Sequence, residues 1–126
     1  MDLTLEVLVD LAGPIEDGSR ASEKLREMLR DDATDVDIET LTTEALSGTE
    51  QYHNRALQDI VNNIGERIGF TVEYGAYKGT TGNIGHDGLW TTDILSNTTT
   101  HLVVETKKTT AYAINPQISR VSIWLK

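Results

Sequence analysis

Leu57, Ile60, Val61, Ile64 and Ile68 recur at helical intervals, and the pattern stops at Gly69. Residues three and four apart share one face of a helix, so the run predicts an amphipathic helix closed by that glycine. Ser47 and Glu50 stand at capping-box spacing, so the helix is expected to begin there and reach about Ile68. Beyond Gly69 the period changes from helical to alternating. Thr71–Tyr77 carries Val72, Tyr74 and Ala76 on one face and reads as a strand, as do Asp87–Leu95 and His101–Lys107. The links are short: a glycine-rich loop over Lys78–His86 and a turn over Ser96–Thr100. Such links favour an antiparallel meander. Ala111–Ile118 reads as a short irregular or helical piece, and Val121–Leu125 as a last strand. A helix followed by strands in this order predicts an α+β fold.

The chain before that helix has a different texture. Leu3, Leu5, Val7, Leu8 and Leu11 fit both alternation and helical spacing, so this element is a helix or a strand, ended by Gly13-Pro14. A helix is expected over Ser19–Arg30, capped by Ser19, with Leu25, Met28 and Leu29 on one face. Another is expected over Asp35–Leu46, with Val36, Ile38, Leu41 and Leu46 as its apolar set. Large apolar residues are few here. Residues 1–48 therefore read as a small acidic helical segment, with Gly48 marking the boundary to a core over residues 49–126.

Charge divides at the same place. The 126 residues carry a formal net charge of −9, which taken whole argues against nucleic acid, because phosphate binding relies on Lys and Arg. Residues 1–50 hold 14 acidic and 4 basic side chains, a net of −10, whereas residues 51–126 hold 6 and 7, a net of +1. Asp31, Asp32, Asp35, Asp37, Glu39 and Glu44 form the densest acidic cluster. It reads first as a solvated helical surface, and second as a surface for a basic protein partner. There is no cysteine, which removes disulfides, thiolate zinc sites and cysteine nucleophiles. No apolar run is long enough to span a membrane, and the first residues lack the pattern of a signal peptide. A soluble cytoplasmic protein is the expectation.

Chemistry concentrates in two segments, Gly85-His86-Asp87-Gly88-Leu89-Trp90 and Leu102-Val103-Val104-Glu105-Thr106-Lys107. Residues two apart on a strand share a face, so Glu105 and Lys107 project together while Leu102, Val104 and Thr106 face the other way. Asp87 opens the neighbouring strand. Whether it meets Glu105 depends on register, twist and bulges. Two carboxylates beside a lysine suit phosphodiester hydrolysis. Asp87, Glu105 and the Thr106 carbonyl offer the oxygen ligands that Mg²⁺ prefers, with Mn²⁺ as a substitute. A bound ion would polarise the phosphate and activate water, and Lys107 would orient that water or stabilise developing charge.

These segments resemble the PD-(D/E)xK, or restriction-endonuclease-like, nuclease superfamily. Strand-borne Asp87, followed about eighteen residues on by Glu105-Thr106-Lys107, looks like its motif. The stretch Ala56–Phe70, ending in Gly-Phe before a strand, is similar to the first helix of Mrr-like members. The resemblance covers about residues 50–108. It implies a restriction-endonuclease-like core in which a helix is followed by a three- to four-stranded mixed sheet. It also implies metal-dependent cleavage of DNA, with RNA as the alternative substrate, and a catalytic set of Asp87, Glu105 and Lys107. Gln58 stands where the family often has a glutamate, and would be a neutral supporting group. His86 replaces the motif proline. The family usually adds a long helix and a further strand after the lysine, so these elements are expected to be abbreviated, or the core truncated at its C-terminus, or completed by a second copy in a homodimer. Lys78, His86 and Lys108 are the expected nucleic-acid contacts, with Arg120 extending a modest basic rim.

Other readings compete with this one. Asp87-Gly88 is also an ordinary turn signal. Glu105 and Lys107 would serve equally as a surface ion pair worth at most about 1 kcal/mol. His53, His86 and His101 lack zinc-ligand spacing. The glycine loop has no Gly-Lys-Ser/Thr, so it is no nucleotide P-loop. The alternative function is a nuclease-fold module without catalysis, binding nucleic acid or assembling with protein.

Overall fold

In the computed structural model the described residues are 3–77, 86–92, 99–108 and 119–125, with backbone alone described at 107–108 and 119–125. They form four helices and four strands, an α+β fold. By its internal contacts the chain divides into two compact units, Met1–Ile64 and Gly65–Lys126.

The helical unit begins by resolving an ambiguity. The first element is a helix, α1 (Leu5–Ala12), because the Thr4 hydroxyl accepts from the Val7 N–H and starts a helical turn. Leu5 and Leu8 are buried, while Leu11 is exposed. The Leu5 N–H also donates to the Glu44 carboxylate at 2.9 Å, tying the start of α1 to the next-but-one helix. In α2 (Arg20–Asp31), Ser19 is the cap, and Leu25, Met28 and Leu29 are buried as the spacing predicts. In α3 (Asp35–Ser47), Thr34 and Asp37 form a reciprocal capping box. Ile38, Leu41 and Ala45 are buried, but Val36 is 72% exposed, so it does not belong to the expected apolar face.

The last helix, α4 (Gln51–Arg67), starts later than expected. The Ser47–Glu50 capping box does not form, because Ser47 is the last residue of α3 and its hydroxyl donates to the Thr43 carbonyl. Three residues on, the Glu50 N–H donates to His53 Nδ1 at 3.1 Å, which satisfies one backbone donor at the start of α4. Its expected apolar stripe is also incomplete. Leu57, Ile60 and Val61 are buried, but Ile64 is half-buried and Ile68 is 64% exposed. Ile68 lies in the turn past the helix end, where Gly69 takes φ +104°. Gln58, Asp59, Asn62 and Asn63 are buried instead. Arg26 Nε meets Asp59 Oδ1 at 3.2 Å, so the buried carboxylate is paired.

The sheet unit contains β1 (Thr71–Tyr74), β2 (Gly88–Thr92), β3 (Thr100–Lys108) and β4 (Ser119–Leu125) in the order β1-β2-β3-β4. Every described pair is antiparallel. This corrects the mixed sheet that the resemblance implied, since β4 returns beside β3 in the opposite direction. Residues 109–118, including the piece expected over Ala111–Ile118, lie outside the described residues. Trp90 and Val104 form the buried centre of the unit. The Trp90 indole packs so closely on α4 that a Cβ at Gly65 would lie 2.6 Å from it. Phe70 covers the same ring at a centroid distance of 5.4 Å.

Candidate active site

Register decides where Asp87 stands. Leu89 pairs with Val103 and Gly88 with Val104, so the next position along the β2–β3 ladder sets Asp87 beside Glu105. The ladder shifts there. The Asp87 N–H donates to the Val104 carbonyl at 3.0 Å, and the Asp87 carbonyl accepts from the Gly75 N–H at 2.9 Å. Asp87 is thus held by main-chain bonds from both sides, just beyond the end of β2.

Its side chain crosses to β3. Asp87 Oδ2 accepts from the Thr106 N–H at 2.5 Å and from the Thr106 hydroxyl at 2.9 Å. Bonds of this kind, from a main-chain N–H to a charged acceptor, are among the stronger protein hydrogen bonds. They fix the carboxylate at the middle residue of Glu105-Thr106-Lys107. In an extended strand the N–H and C=O of one residue point to the same edge. The Thr106 carbonyl, expected as a ligand, therefore faces the same side as the N–H that holds Asp87. Glu105 is half-buried between Val104 and Thr106, and pairs in register with Ser122.

The structure brings Asp87, Glu105 and Thr106 into one segment of the sheet unit. Gln58 belongs to the helical unit, where it is 7% exposed within the buried polar run of α4. Lys107 pairs with Arg120 and Lys108 with Ser119 in the backbone ladder, and their side chains lie outside the described residues. Lys78 also lies outside them. His86 is half-buried, and its Nδ1 is buried with no hydrogen-bond partner among the described residues.

Two contributors escaped the sequence. Gly75 meets the His86–Asp87 backbone so closely that a Cβ would lie 2.0 Å from the His86 carbonyl oxygen. Tyr74, paired with Gly88, donates its hydroxyl to the Glu66 carboxylate near the end of α4. A tyrosine-glycine step at a strand end carries no pattern that would have marked either.

Asp87, Glu105 and the Thr106 carbonyl are hard oxygen donors, and that donor chemistry fits Mg²⁺ or Mn²⁺. A ligating carboxylate with one oxygen held by a hydrogen bond also fits, since outer bonds of this kind orient metal ligands. Among the described residues no group of three or more His, Asp or Glu side chains is gathered closely enough to form a metal cage. No helix of the described residues is long and apolar enough to cross a membrane. Comparison with protein-family models, with curated proteins and with solved structures returns no match.

Proposed function

We propose that this protein is a metal-dependent nuclease of the restriction-endonuclease-like type, hydrolysing DNA phosphodiester bonds at a site in its sheet unit. The observation that carries this reading is the clasp between Asp87 and Thr106, which sets a carboxylate against the Glu105-Thr106-Lys107 segment. Asp87, Glu105 and the Thr106 carbonyl would hold the ion. Bound there, Mg²⁺ would supply a Lewis acid for the phosphate and a water of lowered pKa. Lys107, two positions along β3 from Glu105, would orient the attacking water or stabilise the charge that develops on the phosphate oxygens. The Asp87–Thr106 bonds keep one ligand in place before substrate arrives, which lowers the cost of assembling the site.

Plasmid nicking with Mg²⁺ or Mn²⁺ tests the reading. Nicking is expected from the wild type, with a loss of at least about 100-fold in Glu105→Ala, consistent with removal of a group that stabilises the transition state. Unchanged nicking in that variant overturns the assignment.

A second reading is a nuclease-fold module without catalysis. It is favoured by the use of Asp87 Oδ2 as acceptor for both Thr106 donors, and by a neutral Gln58 where a carboxylate is usual. Asp87→Asn separates the two, because the amide oxygen still accepts from Thr106 while the charge is gone. Loss of Mn²⁺ binding in a folded Asp87→Asn protein supports the enzyme. A wild type that binds no Mn²⁺ supports the module.

A further inference from the structure

The β3–β4 ladder places Lys107 directly opposite Arg120. Register partners in an antiparallel pair share a face of the sheet, and like charges at such a pair are destabilising. Lys108, opposite Ser119, adds a third cation to the same end of the ladder. Glu105 is the acidic residue of this stretch of β3, two positions before Lys107, and it shares the face of that pair by alternation. Two carboxylates, Asp87 and Glu105, against Lys107, Lys108 and Arg120 leave an excess of one positive charge at the end of the sheet where Asp87 is clasped to Thr106. A sheet unit of net +1, with 5 acidic and 6 basic residues over 65–126, thus collects three of its cations at one corner.

We infer that the Lys107–Arg120 register pair is a phosphate clamp, in which Arg120 binds a backbone phosphate of the nucleic acid beside the Asp87–Glu105 segment. An anion between the two cations removes their repulsion, and an arginine offers paired donors to phosphate oxygens. The inference rests on the nuclease reading for the identity of the ligand, a phosphodiester backbone, and turns Arg120 from a member of a general basic rim into one defined phosphate contact paired in register with Lys107.

The test is anisotropy of a short labelled DNA duplex with the full chain in EDTA, titrated with salt. A same-length RNA duplex runs in parallel to tell which backbone is preferred. Arg120→Gln is expected to weaken binding about 10-fold and to lower the slope of log K against log salt by about 1, the signature of one lost phosphate contact. Arg120→Lys is expected to keep most of both. Thermal melts guard against a folding defect. Without nucleic acid Arg120→Gln should melt no lower than the wild type, because the like-charge pair is relieved, and the duplex should raise the melting temperature of the wild type more than that of the variant. Binding of both duplexes that ignores Arg120 overturns the clamp, and so does a lower melting temperature in the free variant, which would make Arg120 a structural partner of Glu105. Binding is read without metal, so the clamp stands or falls apart from cleavage.

Discussion

Gly75 is the residue on which the position of Asp87 depends most directly. Its N–H donates to the Asp87 carbonyl, and the backbone of His86 occupies the space where a side chain would begin. The conflict is with main chain, so no flexible side chain can swing away. Gly75→Ala should destabilise the protein by about 3 kcal/mol through overpacking and loss of that bond. Denaturant unfolding gives the stability, and a wild-type midpoint would show that the strand ends separate freely. Tyr52 offers a different test. Partial burial, then the carboxylates of Glu6, Glu50, Asp10 and Glu44, push its phenol above the ordinary value of 10.0. A group whose pKa is raised on folding holds its proton more tightly in the fold, so its contribution is complete below the unfolded pKa. That contribution is lost as pH rises through the folded pKa. Stability should therefore fall above about pH 10 by more in the wild type than in Tyr52→Phe, as read from thermal melts in alkaline buffers. Added salt should shrink the difference, because four of its causes are charges.

Elements were legible where a cap and an apolar stripe agreed. Ser19 before Leu25, Met28 and Leu29 defines α2 in both sequence and structure. At α4 two signals competed. Ser47 matched a capping box, but α3 runs through it, with the Ser47 hydroxyl donating to the Thr43 carbonyl, and His53 took over as acceptor for the Glu50 N–H. A histidine in that role has no strong pattern. The buried face of α4 was hidden for another reason: an apolar search passes over Gln58, Asp59, Asn62 and Asn63, although all four are buried. Asp59 is fully buried and bonded to Arg26, whose side chain is 20% exposed. Arg26→Met would leave the carboxylate without that cation. A loss of about 3 kcal/mol is expected, against a much smaller change in the double variant Arg26→Met with Asp59→Leu, where the buried Asp59 carboxylate is gone as well. Chemical denaturation of both proteins checks the ordering. Equal losses would mean that the pair adds nothing beyond packing.

For the whole molecule, the division of charge matters more than its total. The helical unit, residues 1–64, holds 15 acidic and 5 basic side chains, while the sheet unit is nearly neutral. The site geometry was legible only in part, because strand alternation pairs Glu105 with Lys107 but cannot say that Asp87 is clasped to Thr106. The charge contrast was legible, although the sequence set its boundary at Gly48 and the compact units divide between Ile64 and Gly65, and it makes a kinetic prediction. Asp31 and Asp32 are exposed, Asp31 as the last residue of α2 and Asp32 as its cap, where negative charge opposes the helix dipole. Changing both to Asn should therefore raise stability slightly, by about 0.5 kcal/mol in total. On the nuclease reading it should also speed association with DNA severalfold at low salt, because a repulsive field is weakened. The gain should vanish near 1 M salt, where the screening length is about 3 Å. Stopped-flow mixing with labelled duplex across a salt series separates the two effects, since the helix-end gain appears in melts of the free protein. An association rate that ignores both substitutions at every salt concentration would place the acidic unit outside the path of approaching DNA, and leave its charge to solvent or to a basic protein partner.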